Sequence, residues 1–198
     1  MLRFAPIVLS WMVITANASP VSDLASAARA QIGVTILYDS SYQRIAYPGG
    51  DVPLDRGVCT DVVIRAYRTI GIDLQKLVHE DMRQAWNAYP HPAKWGLKST
   101  DTNIDHRRVP NLATFFRRHG TSIGVTGRPA DFRPGDIVTW QIQPSLPHIG
   151  IVSDQVSAAG TPLVIHNIGY GATLDDILFA FPITGHYRYP SASTGTPR

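Results

Sequence analysis

The stretch "DRGVCTDVVIRAYR", residues 55–68, decides the fold, because it predicts a helix that begins at the single cysteine of the chain. After Cys59, apolar residues recur at helical spacing, and Gly71 ends the pattern. A thiol at a helix start lies at the positive end of the helix dipole, so we expect its pKa to be lowered. A buried, unreactive cysteine is the alternative that this position leaves open.

The first 18 residues have the features of a secretory signal peptide. Arg3 precedes a short apolar run, and Ala16 and Ala18 frame a cleavage site. The run is too short to span a bilayer, so we expect an exported protein, periplasmic or secreted, with no stable membrane insertion after cleavage near Ala18. A non-cleaved N-terminal anchor is the alternative. An unpaired cysteine in an exported chain suggests a reactive thiol or an intermolecular bond.

Composition describes an ordinary globular protein. Of the 198 residues, 44% are hydrophobic and 17% are charged. These values predict a single domain that spans residues 19–190, followed by a flexible tail at 191–198. The net charge of +3 is small and dispersed, so the pattern argues against a nucleic-acid partner. We expect a monomer without a cofactor.

The order of the predicted elements indicates an α+β fold. Helical patterns come first, at residues 22–32, from Asp73 onward, and at 111–119. Strand patterns follow at 137–140, 148–154, 162–168 and 185–189, separated by Gly, Pro and Asp. Helices followed by strands predict N-terminal helices packed on a C-terminal antiparallel sheet, rather than alternating βαβ units.

Two histidines in the strand half are candidate bases for Cys59. His148 begins the segment "HIGIVSD", where Gly150 on the same strand face is expected to leave room for a substrate. His166 lies in the apolar segment "PLVIHNIG" and needs a polar partner there. If the two strands are neighbours, His166 can fix the tautomer of His148. Asn167 is the competing residue for that role.

These motifs carry a resemblance. "AYPGG", "GVCTDVV", "RPGDIVTW", "HIGIVSD" and "VIHNIG" resemble the motif series of NlpC-type papain-like cell-wall cysteine peptidases, and the match is greatest to an uncharacterised bacterial YijF-like branch. The resemblance runs from about residue 24 to residue 189. The sequence departs from the usual pattern at Thr60-Asp61, in the loop after Tyr47, and in a long segment between the helices.

The resemblance implies a papain-like fold and a Cys59–His148–His166 triad that cleaves an amide bond in peptidoglycan or its peptide fragments. It also implies that the Cys59 backbone N–H and the Tyr47 hydroxyl stabilise the oxyanion.

Two further residues are candidates for contacts with the substrate. Asp61, expected to be exposed, would cap its helix or contact a substrate amine, and Arg107 would bind a substrate carboxylate. The loop around Arg107, residues 101–108, fits no strong zinc or calcium ligand pattern, so we expect its Asp and Asn side chains to make loop hydrogen bonds.

Three alternatives remain open for the same residues. One is a hydrolase or transferase acting on lipid or protein acyl groups. Another is a cell-envelope binding module that has the same groove and no activity. The third is a zinc site formed by Cys59, His148 and His166.

Overall fold

A computed structural model describes residues 20–90 and 96–190. The predicted signal peptide, residues 1–18, and the predicted tail, residues 191–198, lie outside the described residues.

Within the residues described, four α-helices form one layer: α1 (Pro20–Arg29), α2 (Cys59–Thr69), α3 (Leu74–Gln84) and α4 (Val109–His119). Local signals account for their ends. The Asp73 side chain accepts a hydrogen bond from the Gln75 backbone N–H and caps α3. Pro110 lies in the first turn of α4, where its missing N–H costs nothing. Short 3₁₀ turns at Trp86–Ala88, Asp105–Arg107 and Pro129–Asp131 connect the larger elements.

The second layer is a six-stranded antiparallel sheet. Its strands are β3 (Thr121–Ile123), β4 (Ile137–Gln143), β5 (Leu146–Val156), β6 (Pro162–His166), β7 (Thr173–Asp175) and β8 (Ile183–Arg188), in the order β3-β8-β4-β5-β6-β7. A separate parallel pair joins β1 (Leu37–Tyr38) to β2 (Arg56–Gly57). This pair places Tyr38 beside Gly57, two residues before Cys59.

The sheet buries side chains on both faces, since successive residues of a strand point to opposite sides. Ile149 and Ile151 of β5 pack with the helices. Val152 of β5 packs on the other face, with a smaller cluster that includes Trp140 and Leu178. The Trp140 indole N–H donates to the Leu178 carbonyl at 3.0 Å, so the loop after β7 covers that face without leaving the indole unpaired.

The predicted α+β architecture is therefore confirmed. The helix that begins at Cys59 and four of the six sheet strands lie where the sequence predicts them. The short strands β3 and β7 were not predicted, because each has only three residues and too little alternation to be recognised. In the described part of the chain, no helix has both the length and the apolar character needed to cross a membrane.

Gly150 serves the packing of the sheet rather than the admission of a substrate. A Cβ atom at this position would lie 2.6 Å from the Val164 side chain and 3.0 Å from the Ile165 carbonyl oxygen, both on β6. The expectation that Gly150 leaves room for a substrate is therefore wrong, because the neighbouring strand occupies that room.

We predict that Gly150→Ala lowers the free energy of unfolding by about 1–3 kcal/mol, the usual cost of forcing a methyl group into a packed interior. Urea denaturation measures this change. Gly124→Ala is the matched control, because its Cβ would meet nothing within 4 Å, and its stability should stay within about 0.5 kcal/mol of the parent. Equal stability of the two variants would contradict the prediction.

Candidate active site

Cys59 is the first residue of α2, and the chain before it is held in a tight turn. Asp61 accepts a hydrogen bond from the Val58 backbone N–H at 2.7 Å, which caps the helix. Gly57 permits this approach, since a Cβ atom there would lie 2.8 Å from the Asp61 carboxylate, and its φ of +159° lies in the region that favours glycine. The turn therefore requires both Gly57 and Asp61.

The thiol itself is buried, with Cys59 only 6% exposed. Burial raises the pKa of Cys59 to about 12, and the Asp61 carboxylate adds to the rise, against the lowering effect of backbone N–H groups of Ile149, Thr60 and Cys59 itself. The expected lowering of this pKa by the helix dipole is wrong, because desolvation of the sulfur outweighs it. The sulfur accepts a hydrogen bond from the backbone N–H of Ile149, the residue that follows His148 in β5.

His148 and His166 form a hydrogen-bonded pair across neighbouring strands. Their atoms Nε2 and Nδ1 are 3.0 Å apart, and β5 and β6 are antiparallel neighbours. The Nε2 atom of His166 then lies 3.0 Å from Oδ2 of Asp175 on β7, and the Thr173 hydroxyl donates to the same oxygen at 2.7 Å. We refer to His148, His166 and Asp175 as the imidazole chain.

The imidazole chain determines where the protons lie. Because a carboxylate only accepts, His166 donates from Nε2 to Asp175 and carries no proton on Nδ1 in its neutral form. The His148 ring must then donate from Nε2, which leaves its Nδ1 atom as an unprotonated base. Burial, and next the charge of His166, lowers the pKa of His148 to about 3. Burial also lowers the pKa of His166, although Asp175 opposes it.

Asp175 was missed at the sequence level. It lies in β7, a strand too short to predict, and its register opposite Val164 places it on the face of the sheet that carries His166. The usable signal is the alternation of Thr173, Leu174 and Asp175, which directs both polar side chains to one face.

Asn167 does not contact His148. Its Nδ2 atom donates to the Gly57 carbonyl at 3.0 Å and its Oδ1 atom accepts from the Gly169 N–H. It therefore joins the end of β6 to the turn before Cys59. Of the two residues considered for orienting His148, His166 is the one that forms the hydrogen bond.

Tyr47 lies away from the thiol, contrary to the expectation. It is 40% exposed and packs edge-on against His79 of α3, with ring centroids 5.1 Å apart. The reason is that the following loop is tied to the start of α3, where Gly49 donates to Asp73 and Gly50 donates to Gln75.

Tyr38 takes the place beside the thiol that was expected for Tyr47. It lines a cavity of about 230 Å³ together with Cys59, Ser40, Arg108 and Pro147, which we call the thiol cavity. Burial, and then the nearby Cys59 and Asp61, raises the pKa of Tyr38, so its hydroxyl remains a hydrogen-bond donor at neutral pH.

Asp61 and Arg107 bind each other rather than a substrate. The Arg107 guanidinium donates to both carboxylate oxygens of Asp61, at 2.8 and 2.9 Å, and both side chains are only 3% exposed. The Thr60 hydroxyl donates to the Arg107 carbonyl at 3.1 Å. Asp61 is therefore buried rather than exposed, and of its two expected roles the helix cap is the correct one. Thr60-Asp61, where the sequence departs from the NlpC-type motif that it resembles, holds the residue 105–107 turn against α2.

The arrangement of donors does not support the zinc alternative. Over residues 20–90 and 96–190, no group of three or more His, Cys, Asp or Glu side chains could hold a metal ion. In the loop of residues 101–108, Asp101 Oδ1 accepts from the Asn103 backbone N–H at 2.8 Å and from the Asn103 side-chain amide at 2.7 Å, so the expected hydrogen bonding of this loop is confirmed.

Residues 25–189 match the family described as "Domain of unknown function (DUF1287)". A relative, "Uncharacterized protein YijF" of Escherichia coli (strain K12), is 56% identical over 166 residues, which cover 84% of this chain and 80% of the relative. The chain belongs to the DUF1287 family. The predicted resemblance to the YijF-like branch is thereby confirmed.

Two solved structures are similar to the chain. They are NlpC1 and NlpC2 from Trichomonas vaginalis, with TM-scores of 0.48 and 0.45 and 16% sequence identity in each case. The matches cover 91% and 89% of this chain, and the chain spans about half the length of each structure.

We predict that the reactivity of Cys59 toward iodoacetamide is low at neutral pH and rises about tenfold per pH unit between about pH 7 and pH 10. The raised pKa keeps the thiol protonated over this range, so the thiolate fraction increases with pH in proportion. Mass spectrometry of the alkylated protein is unambiguous, since the chain has one cysteine. A rate constant that levels off below about pH 8 would show a thiolate already formed.

We also predict that Arg107→Met lowers the free energy of unfolding by about 3–5 kcal/mol, because it leaves the Asp61 carboxylate buried without a cation. The double variant Asp61→Asn/Arg107→Met should recover much of the loss, since it buries no charge and retains an acceptor for Val58. Arg128→Met, which breaks the exposed pair with Asp131, is the control and should cost less than about 1 kcal/mol. A cost no larger than that of this control would contradict the prediction.

Proposed function

We propose that this chain is an exported cysteine hydrolase that cleaves an amide bond, with peptidoglycan stem peptides as its substrate. The observation that carries the proposal is the imidazole chain, which leaves the Nδ1 atom of His148 as an unprotonated base. The next residue in the chain, Ile149, donates its backbone N–H to the Cys59 sulfur. A nucleophile, a base and two groups that orient the base are the parts that thiol catalysis requires.

In the first half of the reaction, the Cys59 sulfur attacks the amide carbonyl carbon while its proton moves to Nδ1 of His148. The His148 imidazolium then gives this proton to the leaving nitrogen, the C–N bond breaks, and a thioester forms. In the second half, His148 removes a proton from water, the water oxygen attacks the thioester, and the Cys59 thiol leaves with its proton restored.

The oxyanion of each tetrahedral intermediate needs hydrogen-bond donors. The backbone N–H of Cys59 lies in the first turn of α2, where N–H groups have no acceptor within the helix, and the Tyr38 hydroxyl in the thiol cavity supplies a second donor. Each such donor is worth roughly 3–4 kcal/mol in the transition state. Tyr38 thus replaces Tyr47 in the role that the resemblance implies.

The directions of the pKa shifts favour a neutral resting pair. Burial raises the pKa of Cys59 and lowers that of His148, so thiol and imidazole are both uncharged at neutral pH. Proton transfer therefore accompanies attack rather than preceding it. Asp175 stabilises the positive charge that develops on His148, and it does so through the hydrogen bonds of His166.

The choice of substrate is supported by the N-terminal signal pattern and by the resemblance to NlpC-type cell-wall peptidases. An exported hydrolase of this class meets peptidoglycan in its own compartment.

We predict that the purified protein releases new peptide termini from sacculi and that Cys59→Ala does not. Chromatography and mass spectrometry of the released muropeptides measure this. Binding of sacculi by both proteins without cleavage by either would contradict the proposal and favour a binding module. Loss of activity on addition of a chelator would contradict the thiol mechanism.

The role of Asp175 has its own readout within the same assay. Asp175→Asn should lower kcat at least tenfold with KM little changed, because the amide no longer fixes the tautomers of His166 and His148. Asp176→Asn is the matched control, since the neighbouring Asp176 is exposed, and it should retain the parent kcat. Equal kcat values for the two variants would show that Asp175 does not contribute to catalysis.

A further inference from the structure

A second and larger space adjoins the thiol cavity. This space has a volume of about 500 Å³, and it shares Val109, Pro110 and Pro147 with the thiol cavity. We call it the polar basin, defined by Thr139 and Gln141 of β4, Thr184 of β8, Asn87, and Arg117 of α4. The three shared residues place the two spaces next to each other at the start of α4.

The lining of the polar basin is suited to a polar ligand. Thr184 donates to the Thr139 hydroxyl at 3.0 Å, and Thr184 is the exposed member of this pair, so its hydroxyl oxygen can accept from a ligand. The side chains of Gln141 and Asn87 carry amide groups that can both donate and accept.

Arg117 makes the polar basin cationic. Its guanidinium donates to the Thr114 hydroxyl at 3.0 Å, and in the part of the chain that the structure describes it forms no ion pair with a carboxylate. No Asp or Glu is among the described residues that line the basin. The adjacent Arg118, in contrast, is paired with Asp81 at 2.7 Å. An arginine without an anionic partner at the side of a groove favours a carboxylate ligand.

The length of α4 sets the spacing between the two sites. Pro110, at the boundary of the two spaces, and Arg117 are separated by about 10 Å along the helix at 1.5 Å per residue. An extended peptide covers that length with about three residues.

We propose that the polar basin is a second subsite of the hydrolase, which binds an acidic peptide segment through a contact between Arg117 and a carboxylate at least three residues from the scissile amide. This inference rests on the proposed function and specifies its substrate class. It implies an enzyme that recognises a peptide of several residues rather than a single terminal residue.

A binding measurement tests the subsite without requiring catalysis. The probe is the disaccharide tetrapeptide purified from sacculi, compared with the same molecule after its carboxylates have been converted to amides. Calorimetry with Cys59→Ala, alone and combined with Arg117→Gln, gives four affinities. We expect amidation to weaken binding about tenfold when Arg117 is present, and to have no further effect when it is absent.

The control is Arg83→Gln, at an exposed arginine in the last turn of α3, which should leave all affinities unchanged. An equal loss on amidation with and without Arg117 would overturn the subsite, as would no binding of the tetrapeptide to any variant.

The proposed function can fail separately. It fails if the parent protein binds the tetrapeptide through Arg117 and cleaves no amide bond in sacculi. In an active enzyme, Arg117→Gln should raise KM about tenfold with little change in kcat, and Arg117→Lys should recover part of the loss. A fall in kcat at constant KM would overturn a binding role.

Discussion

The carboxylate of Asp61 binds three donors that come from two distant parts of the chain. It accepts the Val58 backbone N–H at the start of α2 and two guanidinium N–H groups of Arg107, 46 residues later. Arg107 also donates to the carbonyl oxygens of Asp39 and Ser41. The loop after β1, the start of α2 and the residue 105–107 turn are thereby held around Cys59. The walls of the thiol cavity depend on this buried charge pair.

The position of the charge pair affects the pKa of the Cys59 thiol. Asp61 lies two residues from Cys59, and its charge adds to the burial that raises the pKa of the thiol. Arg107 offsets part of that charge by binding it in a bidentate manner. The thiol therefore stays protonated at rest, and in the proposed reaction the imidazole chain would supply the base at the moment of attack.

The imidazole chain crosses three neighbouring strands, and each step depends on strand register. Trp140 of β4 lies opposite His148, and Thr173 of β7 lies opposite His166. A shift of one residue in β6 would turn His166 to the helix face and break both of its hydrogen bonds. The close packing of Gly150 against Val164 and His166 resists such a shift, so the chemistry of the site and the packing of the sheet depend on the same contacts.

The sequence by itself determined the order of helices and strands, the start of α2 at Cys59, and His148 and His166 as the candidate bases. These features depend on local periodicity, on glycine and proline positions, and on residue type, all of which can be read along a single segment. The pairing of His148 with His166 could be anticipated because their strands are consecutive, and consecutive antiparallel strands are commonly neighbours.

Only the tertiary structure decided which tyrosine lies at the thiol, what Asp61 and Arg107 bind, and that Asp175 ends the imidazole chain. Tyr38 reaches Cys59 through the pairing of β1 with β2, and Arg107 reaches Asp61 across 46 residues. The pKa of Cys59 was decided in the same way, because the helix dipole acts locally whereas desolvation depends on everything packed around the sulfur. Contacts between distant segments leave no periodic trace in the sequence, and these contacts determine the electrostatics of the site.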